Sequence, residues 1–553
     1  MKARITFFVL LLTGISIFSF RIKQVAKKNT VSIKKQMLEK RKVALRCSPD
    51  LNELVFTPEE VNNLGPLPGW GKYTWKISTK SDSAQYYFNQ GINMYYGFHI
   101  IEALASFKKA QWFDKNCAML YWAEALSYGP NINDLGYNAS PAALTAIEKA
   151  KELSTTANAI ERKLINAQNI RYSTDSSVTR KQLNEMYSAS MQKLFAIHNT
   201  NADIAALYTD ALMNEHPWDY WFINGKAKAW TPLIISTISK GLKINNNHPG
   251  LNHYNIHIWE ASATPGKAMS SANKLGMLTP GLSHMVHMPS HIYIRTGDFK
   301  KGIKVNEAAI KQYYTYQKLF PDVTANAALY EIHNFHMQAA NALFTEDYNY
   351  AINSASLCRK SVDSAFLFAE APIGDYAQYM WSTPVLTMVY YEKWENILKV
   401  PEPPASLHYA SLLWHFARGM AFAFTNKNIE AKAERDEMKR YTAYEDMKIP
   451  LGVFNSPNAA AGIAIQILSG IMAEMNNEKD NAIAYLEEAV KKEDAMVYNE
   501  PKDWLTPARQ YLGYTYLKFK NYTKAVEVFT ASLKKDPGEP YCIEGLKIAK
   551  EKK

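Results

Sequence analysis

Cysteine is scarce in this chain: four in 553 residues, Cys47, Cys117, Cys358 and Cys542. None lies close enough to another to form a CxxC metal site. They can pair only in an oxidising compartment, and Cys117 and Cys358 read as isolated buried thiols. A GxSxG elbow is missing, so nucleophilic catalysis has no support. GxGxxG and Walker loops are missing too, which argues against a nucleotide cofactor. There is little of the apolar–polar alternation that marks half-buried strands.

Charge of one sign is also missing from most of the chain. The formal net charge is +11. Residues 1–46 carry twelve Lys and Arg against the single acid Glu39, which accounts for the whole excess. The remainder is formally neutral and holds no RNA- or DNA-reading motif, so no nucleic-acid partner is expected. The one long apolar run, Ile5 to Phe20, follows two basic residues. Residues 1–20 therefore read as a signal peptide or short membrane anchor, and the N-terminus is expected to contact a membrane. The expected location is exported, periplasmic or membrane-anchored, although the flank after the run is the more basic one. Residues 21–46 read as a basic tether. Residues 47–82, with "LGPLPGWGKYTW", read as an extended lead-in.

From residue 83 onward, apolar residues recur at three- and four-residue intervals, the period of helices. Two segments fix the architecture. In "AQYYFNQGINMYYGFHIIEALASFKKAQWFDKN", Gly91, Ala103, Phe107 and Ala110 take the small and aromatic positions of a helix–turn–helix unit. In "ARQYLGYTYLKFKNYTKAVEVFTASLKKDP", Gly513, Tyr516, Ala525, Phe529 and Pro537 take the same places. Small residues let paired helices approach, large ones fill the holes, and proline ends the second helix. This pattern resembles the tetratricopeptide (TPR) repeat. Weaker units include Tyr348 with Ala351, Gly419 with Ala431, and Ala482 with Leu486. The expected fold is all-α: an α-solenoid of roughly ten or eleven TPR-like hairpins, wound into a superhelix with a concave groove. Residues 83–553 form it, with clear repeats at 84–117 and 506–539.

Histidine is the concentrated residue. Eight of the 13 lie between His248 and His336. "HPGLNHYNIHIWE" places His253 and His257 four apart, and "SHMVHMPSHIY" places His287 and His291 four apart, 34 residues further on. That interval is one TPR period, so both pairs fall on first helices of successive hairpins, at 249–282 and 283–316. A third unit, 332–365, adds His333 and His336, and His284 points the same way. Glu260, seven after His253, joins that face. A His pair four apart on a helix suits one metal ion, with neighbouring helices supplying further ligands. Pro289, inside "HMPSH", is expected either to break or kink its helix and re-aim His291, or to mark a helix start, which would shift the register of His284 and His287.

The stretches "YYGFHIIEALASFKKA", "CAMLYWAEALSYGPNIN", "ALMNEHPWDYW", "HPGLNHYNIHIWEAS", "HMVHMPSHIYIRTGDF", "HNFHMQAANAL", "WHFARGMAFA" and "YNEPKDWLTPARQYLG" resemble a large group of exported bacterial TPR-repeat proteins. That resemblance implies an α-solenoid and export, but no settled reaction.

Two functions fit these residues. One is a binding or scaffold protein whose His-rich concave pocket holds a metal ion and whose groove takes a peptide, protein or small-molecule ligand. The other is a metal-dependent hydrolase or oxidase in the same groove. In both, His253, His257, His287 and His291 are the candidate metal ligands. His284, His333, His336, Trp259 and Arg509 are candidate ligand-binding residues. Glu260 or Asp210 is the candidate general base. The ligand types suit one divalent transition metal, zinc, copper or iron, with no thiolate to narrow the choice. His99, Glu102, Asn131, Asn133, His216, Trp218, Asp219, Glu500 and Trp504 are further polar or aromatic residues that a tight superhelix could bring to the groove. The alternative for each is a helix cap or a turn-bracing hydrogen bond, the favoured reading for Asn131, Asn133 and Asp219.

Overall fold

The computed structural model describes residues 58–133, 141–319 and 328–553. The apolar run, the basic tether and the first part of the lead-in lie outside them. The described residues contain helices and no strand, apart from one isolated bridge between Trp221 and Ala227. Successive helices pair into hairpins, and the hairpins stack into an all-α solenoid. The two clear repeats are Asp82–Tyr96 with Ile100–Phe113, and Ala508–Lys518 with Tyr522–Lys535. In both, the expected glycine makes the close approach. A Cβ on Gly91 would stand 2.5 Å from the Phe107 ring, and one on Gly513 would stand 2.4 Å from the Phe529 ring.

A shared turn closes these hairpins. Phe98, Gly297, Glu346, Glu392, Asn426, Asn477 and Lys520 each follow a first helix and adopt φ between 55° and 79°. The next backbone N–H then reaches the carbonyl five residues back, as from His99 to Met94, Asp298 to Tyr293 and Asn521 to Tyr516. This arrangement satisfies carbonyls that the helix end would otherwise leave unpaired. Most of these positions carry exposed polar residues or glycine. Phe98 is the exception: it is buried.

The solenoid turns back on itself. Buried apolar residues form two main clusters, one drawn from Leu64–Tyr316 and one from Ala340–Ala549. The segment between Asp494 and Ala508 crosses from the second cluster to the His-bearing helices, where Tyr498 donates to Glu260 at 3.4 Å. Trp218 meets Phe454 edge to face, and a Cβ on Gly297 would strike the Pro537 carbonyl at 2.5 Å. The lead-in is only partly extended, since Pro58–Asn63 is a short helix. Beyond it the chain lies against the 278–281 turn, with Gly281 N–H donating to Gly69. Cys117, Cys358 and Cys542 are buried free thiols, as expected of the first two.

Candidate metal centre

The His-bearing hairpins begin with the helix Pro249–Glu260. His248 caps it, its Nδ1 accepting from the Leu251 N–H at 3.2 Å, and Pro249 at the first position needs no hydrogen bond. The expected break at Pro289 is present. Ser283–His287 and Pro289–Thr296 are separate segments joined through Met288, and the His291 N–H bonds to Met288 O at 3.2 Å. A third helix, Ala328–Leu343, supplies His333 and His336.

The four histidines expected as one ligand set form parts of two groups. His253, His257 and His284 bring one nitrogen each to within 4.8 Å of one another, and His287, His291 and His333 do the same. In the first group, Nε2 of His253 and Nε2 of His284 are 3.1 Å apart. In the second, Nε2 of His287 and Nε2 of His291 are 2.6 Å apart. Metal–nitrogen bonds of about 2.0–2.1 Å in a tetrahedron separate their donors by roughly 3.3 Å, so the 3.1 Å contact has the spacing of a chelating pair.

The opposite ring edges are fixed by acceptors. His253 Nδ1 faces the Tyr96 carbonyl at 2.7 Å, and His257 Nδ1 faces Glu260 Oε1 at 2.8 Å. His287 Nδ1 faces Asn306 Oδ1 at 2.6 Å, and the Asn306 amide is oriented by donating to Gly302 O. His291 Nδ1 lies 2.7 Å from Glu260 Oε2 and 2.6 Å from Glu500 Oε2. Carbonyls and carboxylates only accept, so each Nδ1 carries the proton, and in the neutral rings of His253 and His287 Nε2 holds a lone pair. Such anchoring is the usual outer partner of a metal-ligating imidazole.

The electrostatics follow from burial. His253, His284, His287 and His333 are held well below the usual imidazole range, first by desolvation and then by neighbouring imidazoles. His291 differs: burial opposes its charge, but Glu500 and Glu260 outweigh burial and raise it to about 10. A proton on His291 Nε2 therefore bridges to the His287 lone pair. It occupies the place a metal cation would take.

Aromatic rings close the site. Phe98 lies 4.5 Å from the His253 ring and 5.6 Å from that of His284, centroid to centroid. Trp218 meets His257 edge to face at 5.3 Å. Both hold positive φ, 57° and 62°, an uncommon conformation for bulky residues. At Phe98 this is the turn shared by the other hairpins, whereas Trp218 lies outside that set; strained backbone clusters at functional sites. Beside them opens a cavity of about 400 Å³, lined by Trp218, Trp221, Phe222, Phe454, Trp504, Tyr498, Arg295 and His257.

Other expected residues fall elsewhere. Asp210 pairs with Arg171 at 3.3 Å and bonds to Asn214, forming a separate buried network away from the imidazoles. Arg509 grips Asp494 with two nitrogens. Trp259 packs on Trp221 and under Lys267. His336 faces Tyr379, and burial lowers it to about 3. His216 stacks on Trp230. Of the more distant residues, Glu500 joins His291, Trp504 lines the cavity, and His99 Nε2 accepts from the His284 N–H. Phe98, Tyr96, Asn306 and Tyr498 carried no sequence signal, since each matters through where its neighbours fold.

No protein-family model and no curated protein matches the chain. Solved structures with a similar helical arrangement include the human IFIT1 dimer with m7Gppp-AAAA, at 12% identity and TM-score 0.36, covering 82% of this chain and 90% of that one. The P58(IPK) TPR domain matches at 12% identity and TM-score 0.21, covering 85% and 98%. Yeast Tom70 matches at 10% identity and TM-score 0.28, covering 86% and 89%. Scores this low carry no argument about the site. The solenoid assignment rests on the hairpins, turns and glycine contacts of this chain.

Proposed function

We propose that this chain is a TPR-like solenoid that binds a transition-metal ion in its groove and presents it to a small ligand in the adjoining cavity. The observation that carries this reading is the gathering of His253, His257 and His284, and of His287, His291 and His333, each into a trio whose ligand atoms lie within 4.8 Å of one another. Neutral imidazoles and buried carboxylates without thiolate suit zinc, copper or iron. The cavity, about 400 Å³ with aromatic walls and His257 at its edge, has the size of a small-molecule pocket and not of a polymer groove.

A metal-dependent hydrolase or oxidase is the second reading, favoured by Trp218, which holds φ 62° outside the shared hairpin turn and meets His257 edge to face. Glu260 suits an orienting role better than that of a general base, because its two oxygens face two imidazole Nδ1 atoms. Export or membrane tethering belongs to the same proposal and rests on residues 1–20, outside the described ones. Fractionation of cells that express the full chain tests it.

The metal reading is tested by plasma mass spectrometry on the untagged full-length chain and on His253→Ala/His257→Ala. Metal retained through gel filtration by the parent and reduced in the variant is the expected result. A parent that stays metal-free after incubation with zinc, copper and iron overturns the proposal.

A further inference from the structure

We infer that the site holds two metal ions, one in the trio His253, His257 and His284 and one in the trio His287, His291 and His333. This rests on the metal-binding reading above and adds the number of ions, their separate ligand sets and the residue that joins them.

The trios share no histidine, and each supplies three nitrogens. Three protein ligands with a position left over is the usual count for a metal centre that also meets water or a ligand. The Nε2 atoms converge at two places, between His253 and His284 at 3.1 Å and between His287 and His291 at 2.6 Å, a hydrogen-bond distance that an ion would open toward roughly 3.3 Å. Chain connectivity keeps these apart. His284 and His287 lie on one short helix, and each turns its Nε2 to a different partner, His253 and His291. One ion with bonds of about 2 Å reaches one convergence point and leaves the other three imidazoles without an ion. The ring nitrogens left at the other point still want a donor or a cation to meet their buried lone pairs.

Glu260 joins the two halves. Oε1 faces Nδ1 of His257 in the first trio, and Oε2 faces Nδ1 of His291 in the second. One buried carboxylate thus orients one ligand of each ion. Glu500 adds a second negative charge on the His291 side. Two buried carboxylates beside six imidazoles offset part of the charge of two divalent cations, which six neutral rings alone would not do. The halves differ in access: His257, from the first trio, lines the 400 Å³ cavity, whereas no member of the second trio does. The first ion is the one placed beside the cavity; the second has the half-buried His333 among its ligands.

A competing set exists in Glu260, Glu500 and Nδ1 of His291, whose ligand atoms also lie within 4.8 Å. An ion there would not depend on His333.

The test uses cobalt(II) alone, added to the untagged, chelator-stripped full-length chain, with bound metal counted by equilibrium dialysis and visible absorption. The parent is expected to bind two equivalents, and His284→Ala and His333→Ala one each. Circular dichroism confirms that each variant keeps its helix content, and asparagine at either position is the second variant where alanine disturbs folding. Saturation of the parent at one equivalent overturns the pair while leaving the single-metal reading intact. No binding of cobalt here, nor of zinc, copper or iron in the test of the metal reading above, overturns both. Two equivalents retained by His333→Ala overturns the second trio in favour of the carboxylate set, and two retained by His284→Ala overturns the first.

Discussion

Nδ1 of His291 lies 2.7 Å from Oε2 of Glu260, whose other oxygen faces Nδ1 of His257 at 2.8 Å. One carboxylate thus orients imidazoles from two hairpins. Glu260→Gln leaves one acceptor oxygen and puts an N–H₂ group against the other imidazole N–H. Metal affinity is expected to fall by about 10–100-fold with helix content unchanged. Competition against a chelator of known affinity measures this. Parental affinity in the variant would remove Glu260 from the centre.

Phe98 and Lys520 occupy the same turn position, at φ 57° and 58°, yet one ring is buried against imidazoles and the other side chain is exposed. Replacing a buried phenylalanine costs about 3–5 kcal/mol, whereas glycine relieves about 1–2 kcal/mol of left-handed strain. Phe98→Gly is therefore expected to lower the urea midpoint, while Lys520→Gly holds or raises it. A lowered midpoint in Lys520→Gly would show that the shared turn is not a source of strain.

A Cβ on Gly250 would stand 2.5 Å from the Tyr96 ring, and the Tyr96 carbonyl anchors His253. Gly250→Ala is expected to cost roughly 1–3 kcal/mol through overpacking and to weaken metal binding as the anchor shifts. Thermal unfolding with and without added metal separates these effects. A variant whose metal-induced shift in Tm equals the parent's would show that Tyr96 does not position His253.

Asp375 is buried, with its Oδ2 unpaired, and burial and then Asp446 raise its carboxyl to about 7. Unfolded, it titrates near 3.9. Between those values the native state holds a proton that the unfolded state has released, so this group lowers stability as pH rises from about 4 to 7. Asp375→Asn is expected to remove that slope and to stabilise the chain above pH 7, by up to about 4 kcal/mol. Urea midpoints at pH 5 and 8 test it. An equal change at both pH values would show that the native carboxyl is already ionised at pH 5.

The repeat unit was legible because its contacts are local. Gly91 with Phe107, and Gly513 with Phe529, lie sixteen residues apart and meet whatever the rest of the chain does. The pairing of His253 with His257 was legible for the same reason, as residues four apart share a helix face. His336 shows where that reasoning stops: three residues from His333, it turns to Tyr379, because the helix face is wider than the site. Asp210 and Arg509 were plausible by residue type, but each had a nearer ion partner, Arg171 and Asp494.

By itself the sequence determined an all-α chain of paired helices and a 34-residue interval that sets imidazoles on successive hairpins. Both follow from periodicity along one chain, which short-range packing enforces. Tertiary structure alone decided how the imidazoles divide into trios, which nitrogen of each ring is anchored, and that Glu500 and Tyr498 arrive from more than 200 residues away. Those outcomes depend on superhelical curvature, the sum of small rotations from one repeat to the next. No local pattern carries that sum.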